Sequence, residues 1–302
     1  MSDEWATRPE RSTLWAMQLY AWVSLRAGRA AGRLFLPAIC LYFLLFAREA
    51  RQASSDYLTR ILGRAPGWQA RYRHFFHFAS VVHDRLFLST GQLARFDIRI
   101  EGETHVRSAL ATGRGLILLG AHFGSFEVLR AGLAAREALP PLNVLMYVDN
   151  AANSNRIFDN ARDNARSQGV NIIPLGRPDS LMRAMECLQR GEMLGILGDR
   201  TLGQDRIVYV PFMGAPAVFP QAPWLLASFS QAPVVLFFGA YQGGNRYTIR
   251  FETFADSIDL PRGQRSEHCA ILARRYAQRL ETQCRHSPYN WFNFYAFWQT
   301  PD

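Results

Sequence analysis

Beyond Gly102 the hydrophobic positions come in short runs, each followed by a stretch with apolar residues at three-and-four spacing, the alternation of an α/β domain. The runs predict strands over 115–120, 142–148, 170–175, 193–198, 207–212, 233–240 and 246–253. The amphipathic stretches predict helices over 103–112, 125–137, 154–168, 178–190, 219–230 and 265–284. The fourth, DSLMRAMECLQRG, opens on Asp179 or Ser180 as cap and stops at Gly191. The last two strands flank Gly243-Gly244-Asn245, a hairpin turn that makes them antiparallel, so a mixed sheet flanked by helices is expected.

The first hundred residues read differently. Leu34 to Ala47 (LFLPAICLYFLLFA) carries no charge, and fourteen helical residues extend about 21 Å against a hydrocarbon layer of roughly 30 Å. Trp15, Tyr20 and Trp22 precede this run; Arg26, Arg29 and Arg33 recur at three and four residues and share one helical face; Arg48 and Arg51 follow. On length alone a buried core helix with a basic neighbour would serve. Aromatic and Arg flanks favour a bilayer interface, and a membrane-associating N-terminal segment is expected. Acids and Arg are mixed over residues 1–13, unlike a signal peptide, so the segment is expected to stay on the mature protein. Between Arg48 and Gln92 the pattern is helical, and His74, His77 and His83 within it lack the carboxylate pattern of a zinc helix; they are expected to be surface or packing residues, with no metal site. The chain divides accordingly into a membrane-associating helical region, 1–100, and an α/β catalytic domain, 101–302.

Composition narrows the chemistry. All 34 basic residues are Arg, which excludes Schiff-base catalysis, a lysine general base and the Walker A phosphate loop. Four scattered cysteines, with no C-x-x-C, suggest neither a disulfide framework nor a zinc site. The charge is uneven: residues 1–100 hold 14 Arg against 7 acids, residues 101–302 hold 20 against 18. Basic character beside an apolar run suits an anionic bilayer better than nucleic acid, for which no reader motif is present.

The passage Gly115-Leu-Ile-Leu-Leu-Gly120-Ala-His122-Phe-Gly124-Ser125-Phe-Glu127 carries the chemistry. A buried strand ends, a glycine-bracketed turn presents His122, and a helix begins with Ser125 as N-cap and Glu127 in its first turn. His122 therefore stands at the carboxyl end of a strand, where α/β folds place ligands. The turn can bring the Glu127 carboxylate back beside the imidazole, fixing its tautomer and stabilising the imidazolium. The alternative is a histidine satisfied in a turn and a glutamate favouring a helix dipole. There is no G-x-S-x-G elbow, H-E-x-x-H or G-x-G-x-x-G after a strand. A base without a protein nucleophile points to direct transfer onto a bound hydroxyl.

With His122 and Glu127 in GAHFGSFE, Asp199 closing the strand MLGILGDR, and VPFMGAPA at 210–217, nearly the whole chain resembles the bacterial lipid A late acyltransferases of the lysophospholipid acyltransferase superfamily. The resemblance implies a glycerol-3-phosphate acyltransferase-like α/β fold. It implies transfer of a fatty acyl chain from an acyl carrier protein thioester, or acyl-CoA, to a hydroxyl of a membrane lipid or glycolipid at the cytoplasmic face of the bacterial inner membrane, without a cofactor. His122 would be the general base and Glu127 its orienting acid. An Arg in the helix before that strand is matched by Arg166, with Arg162 one turn away, and would hold a phosphate of donor or acceptor. Asp199 and its neighbour Arg200, a possible salt-bridge partner, would help shape the substrate site. The C-terminus, HSPYNWFNFYAFW, departs from the family's tryptophan-rich stretch ending in His and Arg, which leaves an aryl polyene lipid or amino-acid lipid open as acceptor. Two other classes stay open as well: a noncatalytic Arg-rich protein binding anionic lipid, and a thioesterase or hydrolase using His122.

Overall fold

The computed structural model describes residues 14–134, 139–146, 170–201 and 205–298, and among these the β-branched and leucine-rich runs after Gly102 form eight strands and the segment just before it a ninth. The strands are β1 (Asp97–Glu101), β2 (Leu116–Gly120), β3 (Leu142–Met146), β4 (Val170–Pro174), β5 (Met193–Leu197), β6 (Ile207–Phe212), β7 (Ala215–Pro220), β8 (Val234–Tyr241) and β9 (Arg246–Ala255). Seven form one sheet in the order β1-β9-β8-β2-β5-β3-β4; β6 and β7 form a separate antiparallel hairpin. Within the large sheet only β8 and β9 are antiparallel, joined across Gly243 and Gly244, both at positive φ. The sheet is thus mixed and mostly parallel. Its central strands are apolar throughout because both faces are covered: Ile117 and Leu119 of β2 enter one core cluster, Leu116 and Leu118 the other.

Two strands lie outside the expected set. β1 alternates charge and isoleucine in DIRIE as the sheet's edge strand, paired with β9. β7 holds Pro216 and Pro220, residues that argue against a strand, but in a two-stranded hairpin each strand has a free edge where a missing N–H costs little. Because β7 takes residues 215–220, the helix expected from 219 starts at Ala222. The helix expected over 154–168 lies outside the described residues.

Among the described residues, five α-helices precede the sheet: α1 (Leu14–Ala27), α2 (Arg29–Arg33), α3 (Leu36–Phe46), α4 (Arg48–Leu62) and α5 (Trp68–Ser89). Five more α-helices of the described residues follow β1: α6 (Glu103–Leu110), α7 (Phe126–Ala134), α8 (Ser180–Gln189), α9 (Ala222–Ser230) and α10 (Arg265–His286). Tyr57, Leu58 and Ile61 of α4 join the core on one sheet face, and Leu86, Phe87 and Leu88 of α5 join the other.

The apolar run is helical, and together with α2 it makes a stretch, Arg29–Phe46, long and apolar enough by length and composition to cross a membrane. Gly28, at φ 91, breaks the chain between α1 and α2, and Pro37 enters the first turn of α3, so the helix over the run is Leu36–Phe46. That break alters the expected basic face. Arg26 stays outside, over the Trp22 ring, whereas Arg29 turns inward and grips the buried Asp84 of α5 with Nε at 2.7 Å and Nη2 at 2.9 Å. Arg33 lies 4.0 Å from the same carboxylate and donates to the Tyr241 hydroxyl. Leu34, Phe35, Leu41, Leu45 and Phe46 remain exposed.

Candidate active site

Strand register brings the key residues together. β2 and β5 are parallel neighbours with Gly120 opposite Leu197, so His122 and Asp199 each stand two residues past a paired position, at the same carboxyl edge. Gly198 N–H donates to Gly120 O at 2.9 Å and extends the ladder to the site's threshold. The His122 loop then crosses β8 at Gly239: Ser125 N–H donates to Gly239 O at 2.8 Å, and a Cβ on Gly124, which has φ 62, would collide with that carbonyl. Glycine is needed here for close approach as well as for the turn.

The Asp199 carboxylate is 2% exposed and accepts three hydrogen bonds. His122 Nδ1 meets Oδ1 at 2.8 Å; the His122 backbone N–H reaches Oδ2 at 3.0 Å; Trp291 Nε1 reaches the same oxygen at 2.9 Å. Burial alone would raise the Asp199 pKa, but His122, the Arg200 charge and the Trp291 N–H outweigh it and hold the group at about 2. An ionised Asp199 requires Nδ1 to carry the proton, leaving the lone pair on Nε2. Burial and then Arg200 lower the His122 pKa, against the pull of Asp199, so the ring is neutral near pH 7. Its side chain is 30% exposed, and Nε2 has no hydrogen-bond partner among the described residues.

Glu127 is placed otherwise than the sequence pattern suggests. Its carboxylate, in the first turn of α7, accepts from Arg85 Nε at 3.1 Å, and the carboxylate on the imidazole is that of Asp199. The reason is geometric: helix α7 faces α5, which supplies Arg85, whereas β5 delivers Asp199 directly beside the loop. Arg200 is also redirected. It forms no ion pair with Asp199 but donates to Phe292 O at 3.2 Å and lies over the Tyr295 ring. Arg162 and Arg166 lie outside the described residues.

The aromatic C-terminus, which the sequence pattern does not tie to the site, is fastened to it. Asn290 bonds Tyr241 in both directions, N–H to Oδ1 at 2.7 Å and Nδ2 to O at 3.1 Å, as an added strand would. Gly124 N–H donates to Asn290 O and Phe292 N–H to His122 O, both from within the His122 loop's own hydrogen-bonding reach. Aromatic density at 289–298 was the available signal; its pairing with a loop far away in sequence left none.

Among the described residues, Ser125 and the four cysteines are otherwise engaged. Ser125 Oγ accepts Val128 N–H at 3.2 Å as the helix cap. All four cysteines are buried free thiols whose pKa values burial raises. His74, His77 and His83 are packing residues: His74 bonds Ser54 and Trp291 O, His83 bonds Tyr20 and Arg29 O, and His77 packs edge-on to Tyr241 and tilted to Tyr289. The arrangement can accept a proton at Nε2 and hold the resulting imidazolium against a buried carboxylate, with no covalent intermediate on a protein side chain. A family model described as bacterial lipid A biosynthesis acyltransferase matches residues 84–300, a span that begins at Asp84 and includes every residue of this site. No curated protein matches the chain.

Proposed function

The chain belongs to the bacterial lipid A biosynthesis acyltransferase family, and from that premise we propose that it moves a fatty acyl chain from an acyl carrier protein thioester to a hydroxyl of a lipid or glycolipid, with His122 as general base. The observation carrying this reading is the neutral His122 ring, pinned through Nδ1 to Asp199 and unbonded at Nε2 on the carboxyl edge of the sheet. The acceptor O–H proton passes to Nε2 as its oxygen attacks the thioester carbonyl. The C–S bond then breaks and the departing thiolate takes the proton from Nε2, returning the ring to its starting state.

Asp199 in this scheme orients the ring and stabilises the imidazolium, the task the sequence pattern gave to Glu127. Glu127, held by Arg85, borders the same loop. Arg200 brings a fixed positive charge close to His122, suited to the oxyanion of the tetrahedral intermediate or to a phosphate. Arg166, with Arg162 in reserve, keeps its proposed role of binding a phosphate of donor or acceptor.

The exposed apolar side chains in and just before α3 support contact with a membrane, placed in this reading at the cytoplasmic face of the inner membrane: Leu34 is 79% exposed and Phe46 64%. The anchoring of Arg29 and Arg33 to Asp84 favours a helix lying in the interface over one crossing it, since both charges are committed to the protein body.

The test is mass spectrometry of lipids after detergent-solubilised protein meets acyl carrier protein thioesters and a bacterial lipid extract. A new acylated lipid, absent with His122→Ala, is expected and identifies the acceptor. Free fatty acid alone would make the protein a thioesterase. Product from folded His122→Ala would remove the base, and no consumption of donor would favour an anionic-lipid-binding protein.

A further inference from the structure

We propose that Trp291 is a positioning residue of this site, its indole N–H fixing the Asp199 carboxylate that holds His122; the inference rests on His122 being the base. Of the three donors to Asp199, two come from His122 itself, and the third comes from the C-terminal segment. Without that third donor the carboxylate is held only by the residue it is meant to hold.

Trp291 is well placed to impose a position. It is 1% exposed and wedged edge-on against Tyr57, Phe212 and Phe297 at 4.9 to 5.4 Å between centroids. Its carbonyl bonds His74 Nε2 at 2.8 Å, and its neighbours Asn290 and Phe292 fasten to β8 and to His122 O. One short segment therefore fixes His122 through the backbone and Asp199 through an indole.

Burial alone does not explain the bond. Trp224 is equally buried, and its Nε1 has no partner; Trp298 Nε1 is satisfied by a backbone carbonyl, Phe212 O. This chain tolerates an unpartnered buried indole and elsewhere satisfies one with a neutral acceptor. At Trp291 the acceptor is an ionised carboxylate, a stronger and more directional partner.

The groups facing the pair come from several elements: Arg200 after β5, Tyr276 and Cys284 on α10, Tyr295 beyond Trp291, and His74 on α5. Burial keeps both the tyrosines and the cysteine protonated, and His74 neutral, so Arg200 supplies the fixed charge on either side of the comparison. Replacing the indole by phenyl retains the apolar wedge and removes the donor. Asp199 then keeps more of its charge for the imidazole, which favours imidazolium.

The experiment is Trp291→Phe in the full detergent-solubilised chain. The acid limb of the pH–rate profile and the NMR titration of His122 are expected to move up together by about half a unit or more. A fall in kcat of roughly tenfold, with KM within about twofold, is expected alongside. Coincidence of the variant's limb and titration with wild type would overturn the proposal, since a packing role predicts no shift. The His122 titration needs no turnover, so an upward shift in a protein that transfers no acyl group would leave the positioning role standing and remove the base. Should Trp291→Phe fail to fold, wild-type protein labelled at tryptophan Nε1 answers the same question. One indole N–H resonance should follow the His122 titration and move upfield in Asp199→Asn; seven that ignore both would overturn the proposal.

Discussion

Asp84 on α5 and Asp199 after β5 are both shut away from solvent, and both are ringed by donors, but the two rings differ in kind. Asp84 faces Arg29 through two bonds, Arg33 at 4.0 Å and the Tyr247 hydroxyl at 2.7 Å, guanidinium and phenol donors with no imidazole bonded to the carboxylate. Asp199 faces an imidazole whose charge can change, and that ring is 30% exposed on its other side. A closed set of permanent charges fixes architecture, here the N-terminal helices against the sheet. A buried carboxylate paired with an accessible titratable ring stores the means to accept a proton and give it back.

Asp199→Asn should separate the two most sharply. Asparagine fills the same space but can present its amide N–H₂ to the ring, favouring the tautomer with the lone pair on Nδ1, and the base is then turned away from substrate. A loss of about 10³–10⁴ in kcat is expected, with thermal unfolding little changed. Acyl transfer within about tenfold of wild type would move Asp199 into the same structural class as Asp84.

The converse comes from Asp84→Ala. It strands Arg29 and Arg33, whose side chains are 14% and 19% exposed, without their counter-charge. A loss of roughly 3–5 kcal/mol in unfolding free energy is expected by denaturant titration. Turnover per folded molecule should stay within about threefold. A large loss of turnover with stability intact would mean that Asp84 communicates with the site, through Arg85 beside it and the Glu127 contact.

The two aspartates were not equally legible in the chain. Hydrophobic alternation foretold most of the sheet and the late hairpin, because both depend on local pattern and turn chemistry. It placed His122 at a strand end, and the family resemblance named Asp199 at another, but proximity in sequence suggested Glu127 as the partner. The parallel pairing of β2 with β5, a contact across 77 residues, decides otherwise. Arg29 and Arg33 show the same limit: their spacing predicts one helical face beside a bilayer interface, but Gly28 breaks the helix and Asp84 draws them in. Edge strand β1 and the proline-bearing β7 were obscured because charge and proline are permitted at edges for reasons only the assembled sheet supplies.

Glu127→Gln gives the smallest expected effect and the finest test of which carboxylate governs the imidazole. In the proposed mechanism activity requires neutral His122, so the rate is expected to fall as pH drops through the His122 pKa, which burial and Arg200 place below the ordinary 6.5. Asp199 opposes that lowering; Glu127 is not among the groups that set it. Neutralising Glu127 removes the ion pair with Arg85, and a fall in turnover of up to about tenfold is expected from the loosened loop. The acid limb should nevertheless stay within about 0.2 pH units of wild type, because the proton equilibrium of the ring is untouched. A limb displaced downward in Glu127→Gln would show that its negative charge reaches the imidazole after all, and the two carboxylates would then have to be treated as one coupled system.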